Sequence, residues 1–146
     1  MPGSGGQPAP SVAELLGQAP IFAALTERHL RALAKMASVV SFPANGQVVR
    51  QGEPGTALYI VLTGRAEVRQ GARPLATLGP GQFFGEMTLL DEHPRSADVV
   101  ALEPVQCAVL SRQDFWGFAK GEPEVLQGVG REMARRLREA NRSLSE

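Results

Sequence analysis

The chain is 146 residues long, enough for one domain with a proper core and not comfortably enough for two. Its 15 basic and 15 acidic residues cancel, so no overall field favours nucleic acid or an anionic membrane, and any phosphate must be held by a local site. One cysteine, Cys107, excludes an internal disulfide and a multi-cysteine metal cluster, and the absence of a long apolar run or signal-like start leads to the expectation of a cytoplasmic chain without membrane insertion.

Residues 1–10 are Gly- and Pro-rich with almost no aliphatic bulk, which predicts a disordered tail ahead of a single domain over 11–146. Ser11-Val12-Ala13-Glu14 has the spacing of a capping box and predicts a short helix through Leu15 and Leu16, broken by Gly17 and Pro20. Ile21, Phe22 and Leu25 follow as an apolar turn. Thr26 then caps a second helix whose Leu30, Leu33, Ala34 and Ala37 share a face.

From Val39 the apolar period becomes two. Strands are predicted over 39–42, 48–50, 58–63, 66–69, 75–78, 99–102 and 105–110, each closed by Gly or Pro, with Asn45-Gly46 a strong turn signal. Leu58, Ile60 and Leu62 fall on one face of their strand, and Tyr59, Val61 and Thr63 on the other. Short strands at near-regular spacing predict an all-β sandwich or jelly roll. Cys107, inside the last run, reads as a small hydrophobe.

Ser111 caps a short aromatic helix carrying Phe115, Trp116 and Phe118, which Gly121 ends. Pro123 suits the first turn of a long helix. There Leu126, Val129, Met133, Leu137, Ala140 and Leu144 form a stripe, with Arg131, Arg135, Arg136, Arg138 and Arg142 between them. Glu132 and Glu139 interleave with the arginines, so this is read as a solvated face. Gly128 and Gly130 each weaken the helix by roughly 1 kcal/mol relative to Ala and mark a possible hinge.

The most informative stretch is Phe83 to Ala97. Gly85 lacks a Cβ and lets backbone approach a ligand closely. Glu86, when ionised, accepts hydrogen bonds and suits hydroxyl groups. Arg95 offers a planar fork of donors matched to a phosphate, and successive backbone N–H groups add a cradle. Together they ask for a small molecule with a sugar hydroxyl and a phosphate.

Phe84, Gly85, Glu86, Met87, Leu89, Leu90, Pro94, Arg95, Ser96 and Ala97 resemble the phosphate-binding cassette of cyclic-nucleotide-binding domains, the β-roll sensors of catabolite activator and protein kinase A regulatory subunit type. The glycines at 46, 52, 64, 79 and 81 resemble that family's β-roll framework, and Met133-Ala134-Arg135-Arg136-Leu137 resembles the activators' dimerisation helix. The resemblance implies a mainly β fold with flanking helices: a jelly-roll-like β-roll, an N-terminal helical bundle, and C-terminal hinge and lid helices.

It also implies a cyclic nucleotide ligand, cyclic AMP first, in a non-enzymatic sensor without cofactor or metal. Arg95 and the backbone around Leu89, Ser96 and Ala97 would hold the phosphate, with Pro94 in the turn. Glu86 would take the ribose hydroxyl beside Gly85. Val61, Met87 and Val99 would wall the purine, and Asn141 or Arg138 of the last helix would supply a lid. Two positions depart from the pattern. Thr88 stands where Ala or Gly is usual and is expected to crowd the turn; Asp98 is expected to add negative charge near the phosphate.

A homodimer through the C-terminal helix is implied. Direct DNA binding by this chain is not, since no helix-turn-helix follows within the 146 residues. Metal-dependent jelly-roll enzymes need two or three His with a Glu, and His29 and His93 stand isolated in sequence. The competing readings are a ligand-free dimerisation or docking module on the same fold, which would not need the Glu86 and Arg95 pair, and a sensor of cyclic GMP or cyclic di-GMP.

Overall fold

The computed structural model describes residues 10–145, with side chains through Arg142. The tail expected over 1–10 therefore lies, apart from Pro10, outside the described residues, as does the side chain of Leu144. Two helices open the chain, α1 (Val12–Gln18) and α2 (Glu27–Met36), joined by a 3₁₀ turn over Pro20–Phe22. Eight strands follow: β1 (Ser38–Phe42), β2 (Gln47–Val49), β3 (Ala57–Thr63), β4 (Ala66–Gln70), β5 (Arg73–Leu78), β6 (Phe83–Phe84), β7 (Asp98–Ala101) and β8 (Val105–Ser111). A 3₁₀ turn over Glu86–Leu89 interrupts them, and α3 (Arg112–Ala119) and α4 (Pro123–Ser145) close the chain.

The strands form two four-stranded antiparallel sheets, ordered β1-β8-β3-β6 and β2-β7-β4-β5. First pairs with last, second with seventh, third with sixth and fourth with fifth, which is the nested pairing of a jelly roll. The fold expected from strand spacing is the fold observed. The two-residue β6 was not predicted as a strand, because Phe83-Phe84 is too short to show alternation.

β3 is covered on both faces, and its sequence sorts accordingly. Leu58 and Ile60 enter a core shared with α1, α3, the start of α4 and the 3₁₀ turn at Pro20–Phe22. Val61, with Tyr59 packed beside it, enters a second core with Ala66, Val99, Ala101, Val105 and Cys107. Cys107 is buried, and desolvation pushes its thiol up to about 11.

The helices are set by their caps. Ser11 and Glu14 complete a reciprocal capping box, and helix α1 runs through Gly17 to Gln18 rather than stopping at the glycine. Thr26 accepts from the His29 backbone N–H at 3.2 Å, while His29 Nδ1 accepts from the Thr26 N–H at 3.4 Å. His29 Nε2 lies 3.6 Å from a carboxylate oxygen of each of Glu122 and Glu124, and 3.3 Å from Arg28 Nη2. His29 is 2% exposed, so this contact ties the first turn of α2 to the start of α4.

Phe22 and Phe115 are fully buried with ring centroids 5.7 Å apart, and they join the N-terminal helices to α3. Phe115→Ala removes a ring from a closed core and is expected to lower stability by about 3–5 kcal/mol, read as a drop in the urea midpoint at unchanged slope. A loss below about 1 kcal/mol would show that α3 is not held by this contact.

Candidate functional site: a cavity between the cassette and the second sheet

Gly85 adopts φ 81° and ψ 16°, the left-handed region, and turns the chain from β6 into the 3₁₀ turn. A Cβ here would come within 2.5 Å of Arg95 Nη1 and 2.7 Å of the Ala57 carbonyl oxygen. Only glycine fits, for two independent reasons. The bare backbone lets the Arg95 guanidinium lie against the start of β3, where Nη2 donates to Ala57 O at 3.1 Å. Its Cζ is 5.6 Å from the Tyr59 ring centre and 5.9 Å from that of Phe84. Those two rings are stacked, with centroids 4.9 Å apart.

The loop that carries Arg95 is braced by backbone. Arg95 N–H donates to Glu53 O at 2.8 Å, Gly52 N–H to Arg95 O at 2.8 Å, and Gly55 N–H to His93 O at 2.9 Å. Asp98 Oδ1 accepts from the Gln51 N–H at 2.7 Å. Asp98 thus caps the neighbouring turn.

Arg95 faces a cavity of about 400 Å³ whose wall includes Val49, Val68 and Val99, with Gly85, Thr88, Pro94, Ser96 and Ala97 along the cassette side. Burial lowers the pKa of Arg95, and the neighbouring Tyr59 partly opposes that shift. Among the described residues no carboxylate lies within ion-pair distance of it. A partly desolvated cation without a counter-charge beside a cavity is suited to an anion.

Glu86 lies beyond Gly85. Its Oε1 accepts from Arg136 Nη2 of α4 at 3.2 Å, while its Oε2 is buried without a hydrogen-bond partner among the described residues. Arg136 is also 3.9 Å from Glu132, and Arg135 bonds both Glu132 and Glu139. The Arg135 guanidinium holds the Glu132 carboxyl below its ordinary value. Arg135 and Arg136 of the α4 arginines are thus paired, and Arg136 is directed to the cassette.

Several expected site residues sit elsewhere. Val61 is fully buried in the second core and Met87 is 48% exposed, so neither lines the cavity; of the three aliphatic residues expected there, Val99 does. Val49 and Val68 line it beside Val99, while the odd face of β3 points between the sheets, where Tyr59 stacks on Phe84 and lies under Arg95. Leu89 is also fully buried in the first core; its carbonyl accepts the Trp116 indole N–H at 2.6 Å, tying α3 to the end of the cassette. Arg138 and Asn141 are exposed on α4, and Arg136 reaches the cassette through Glu86. The sequence held a signal for it: Arg136 falls three residues after Met133 and seven after Val129, on the core-facing stripe, where a charge needs a partner.

The sequence profile described as cyclic nucleotide-binding domain matches residues 39–122, more than half of the chain, and the chain belongs to that family. It is 30% identical over 138 residues to the CRP-like cAMP-activated global transcriptional regulator of Mycobacterium tuberculosis, covering 91% of this chain and 62% of that protein. It is 41% identical over 108 residues to the cyclic AMP receptor protein of Thermus thermophilus, covering 70% of this chain and 50% of that protein. The chain thus spans about half to two thirds of the length of these relatives. The N-terminal domain of a transcriptional regulator from Streptomyces coelicolor A3(2) superposes with a TM-score of 0.82 at 32% identity, over 89% of this chain and 94% of that one.

Gly85→Ala is expected to displace the Arg95 guanidinium, since both the positive φ and the 2.5 Å contact oppose a Cβ. The fold should persist with a stability loss of about 1–3 kcal/mol, the usual range for a side chain forced into such backbone. A crystal structure of the variant with Arg95 still on Ala57 O would contradict this account.

Proposed function

We propose that the chain is a cyclic-AMP sensor in which ligand binding is coupled to α4. The observation that carries the proposal is Arg95, a partly buried guanidinium at a cavity wall with no carboxylate near it among the described residues. A cyclic phosphate on Arg95 and on the backbone N–H groups of Ser96 and Ala97 supplies the missing charge. The ribose 2′-hydroxyl donates to Glu86 Oε2, the buried acceptor without a partner, while Oε1 stays with Arg136. The purine lies against Val49, Val68 and Val99.

Coupling follows from where Glu86 is tied. Its partner Arg136 is on α4, so a ligand that engages Glu86 changes the environment of that helix. A ligand shifts a conformational equilibrium only by its difference in affinity for the two states, and the Glu86–Arg136 pair is where such a difference arises. Leu137, 63% exposed one residue further on, offers an apolar contact for a second copy, and the proposed assembly is a homodimer through α4. No helix among the described residues is long and apolar enough to cross a membrane. In this reading the chain works in the cytoplasm, has no catalytic step, takes no cofactor or metal, and does not itself contact DNA.

Calorimetric titration with cyclic AMP tests the assignment. Arg95→Ala should weaken binding by at least about 30-fold, since truncating one partner of a buried charged pair commonly costs about 2–5 kcal/mol. Unchanged affinity would place the phosphate elsewhere. For the sugar, 2′-deoxy cyclic AMP should bind wild type more weakly than cyclic AMP, and Glu86→Ala should narrow that gap; equal binding of the two to wild type rejects the role of Glu86.

Base choice rests on Ser96, which lines the cavity with a hydroxyl but without the methyl that restricts a threonine rotamer. Cyclic AMP should bind about 3–30-fold more tightly than cyclic GMP, or roughly 0.7–2 kcal/mol, and Ser96→Thr should move the ratio toward cyclic GMP. A wild-type preference for cyclic GMP in competition titrations would reverse the assignment of base alone.

A further inference from the structure

Position 88 is where the cassette pattern has Ala or Gly, and here it carries a buried hydroxyl. Thr88 is 8% exposed, and its Oγ1 lies 2.6 Å from Gly85 O and 3.0 Å from Ala57 O. A hydroxyl has one proton and can serve one of these carbonyls at a time. Each has another donor. Gly85 O accepts the Thr88 backbone N–H at 3.1 Å, and Ala57 O accepts Arg95 Nη2 at 3.1 Å.

The methyl group fixes which way the hydroxyl faces. A Cβ on Gly55 would come within 2.4 Å of Thr88 Cγ2, so the absence of a side chain at 55 is what admits the methyl. With the methyl against the Gly55 backbone, a β-branched side chain has little rotamer freedom left, and Oγ1 points at the two carbonyls. The expected crowding of the turn is thus relieved by Gly55.

We propose that Thr88 is a positioning residue that releases Arg95 to an anion. Resting on the cyclic-phosphate reading above, the inference is that the guanidinium leaves Ala57 O as it swings onto the phosphate. The Thr88 proton then turns from Gly85 O to Ala57 O. Gly85 O keeps its backbone donor, Ala57 O gains the hydroxyl, and no buried carbonyl is stranded. Without that reserve donor, leaving Ala57 O bare opposes the movement of Arg95, because an unsatisfied buried acceptor is far more costly than a lost hydrogen bond is valuable.

The test pairs Thr88→Val, which keeps the shape and deletes the hydroxyl, with Thr88→Ser, which keeps the hydroxyl. In titrations with cyclic AMP, Thr88→Val should bind about 10-fold more weakly than wild type and Thr88→Ser within about 3-fold. Valine binding like wild type, or serine falling as far as valine, would overturn the proposal.

A second readout needs no ligand. Thermal melts of wild type, Thr88→Val, Arg95→Met and the double variant form a cycle in which only the double variant deprives Ala57 O of both donors. Its melting temperature should fall at least about 4 °C below the sum of the single effects. Additive melting temperatures would overturn the reserve-donor role whatever the ligand. If wild type ignores cyclic AMP while the cycle is non-additive, the cyclic-nucleotide reading fails and the reserve-donor role stands.

Discussion

A guanidinium taken partly out of water without a carboxylate beside it is the constraint around which the cassette is arranged. Arg95 is tolerated there because β3 begins with a carbonyl, that of Ala57, that can accept from it, because two stacked rings lie under it, and because Gly85 leaves the space it occupies. None of these neutralises the charge. Carbonyl and ring quadrupole stabilise a cation partially, and the remainder is what an anion would supply. Since basic and acidic residues balance over the whole chain, selectivity for that anion is local geometry rather than long-range field.

The cassette is connected to the rest of the domain at two points of different character. Through Leu89 it is part of the first core, and the indole of Trp116 holds its carbonyl, so α3 and the cassette share packing. Through Glu86 it meets Arg136, a directional charged contact with α4 between two partly buried side chains. A displacement of the cassette is therefore carried to α3 through close-packed atoms and to α4 through an ion pair. The first connection is stiff and the second can be exchanged.

The fold was legible because its determinants are local. The period-two alternation of β3, the Asn45-Gly46 turn and the caps at Ser11, Thr26 and Ser111 each act within a few residues. The chemistry of Gly85, Glu86 and Arg95 was legible for the same reason, being written in one short segment. What escaped was set by contacts between distant segments. Arg136 reaches Glu86 across 50 residues, Val49 and Val68 line the cavity only because the second sheet folds over it, and Asp98 caps the turn at Gln51 from 47 residues away. Position 88 was expected to be crowded because its relief, Gly55, comes from a different loop.

The two glycines of α4 show how packing decides among local possibilities. Sequence marks Gly128 and Gly130 alike as weak points, and the helix runs unbroken through both. Gly128 is buried, and a Cβ there would sit 3.3 Å from that of Ala24, so its smallness serves close approach to the N-terminal helices. Val125 and Val129 are buried on either side of it, and the His29 contact with Glu122 and Glu124 anchors the helix start. Bending at Gly128 would open that core. Beyond Val129 the holding contacts thin out: Met133 is partly buried, Arg136 is held by ions, and Leu137 is exposed. Gly130, with open space around it, lies at this boundary. A movement of α4 that exchanges the Glu86–Arg136 pair while keeping the first core intact must therefore turn at or after Gly130, with the first turns of the helix staying fixed to the N-terminal bundle.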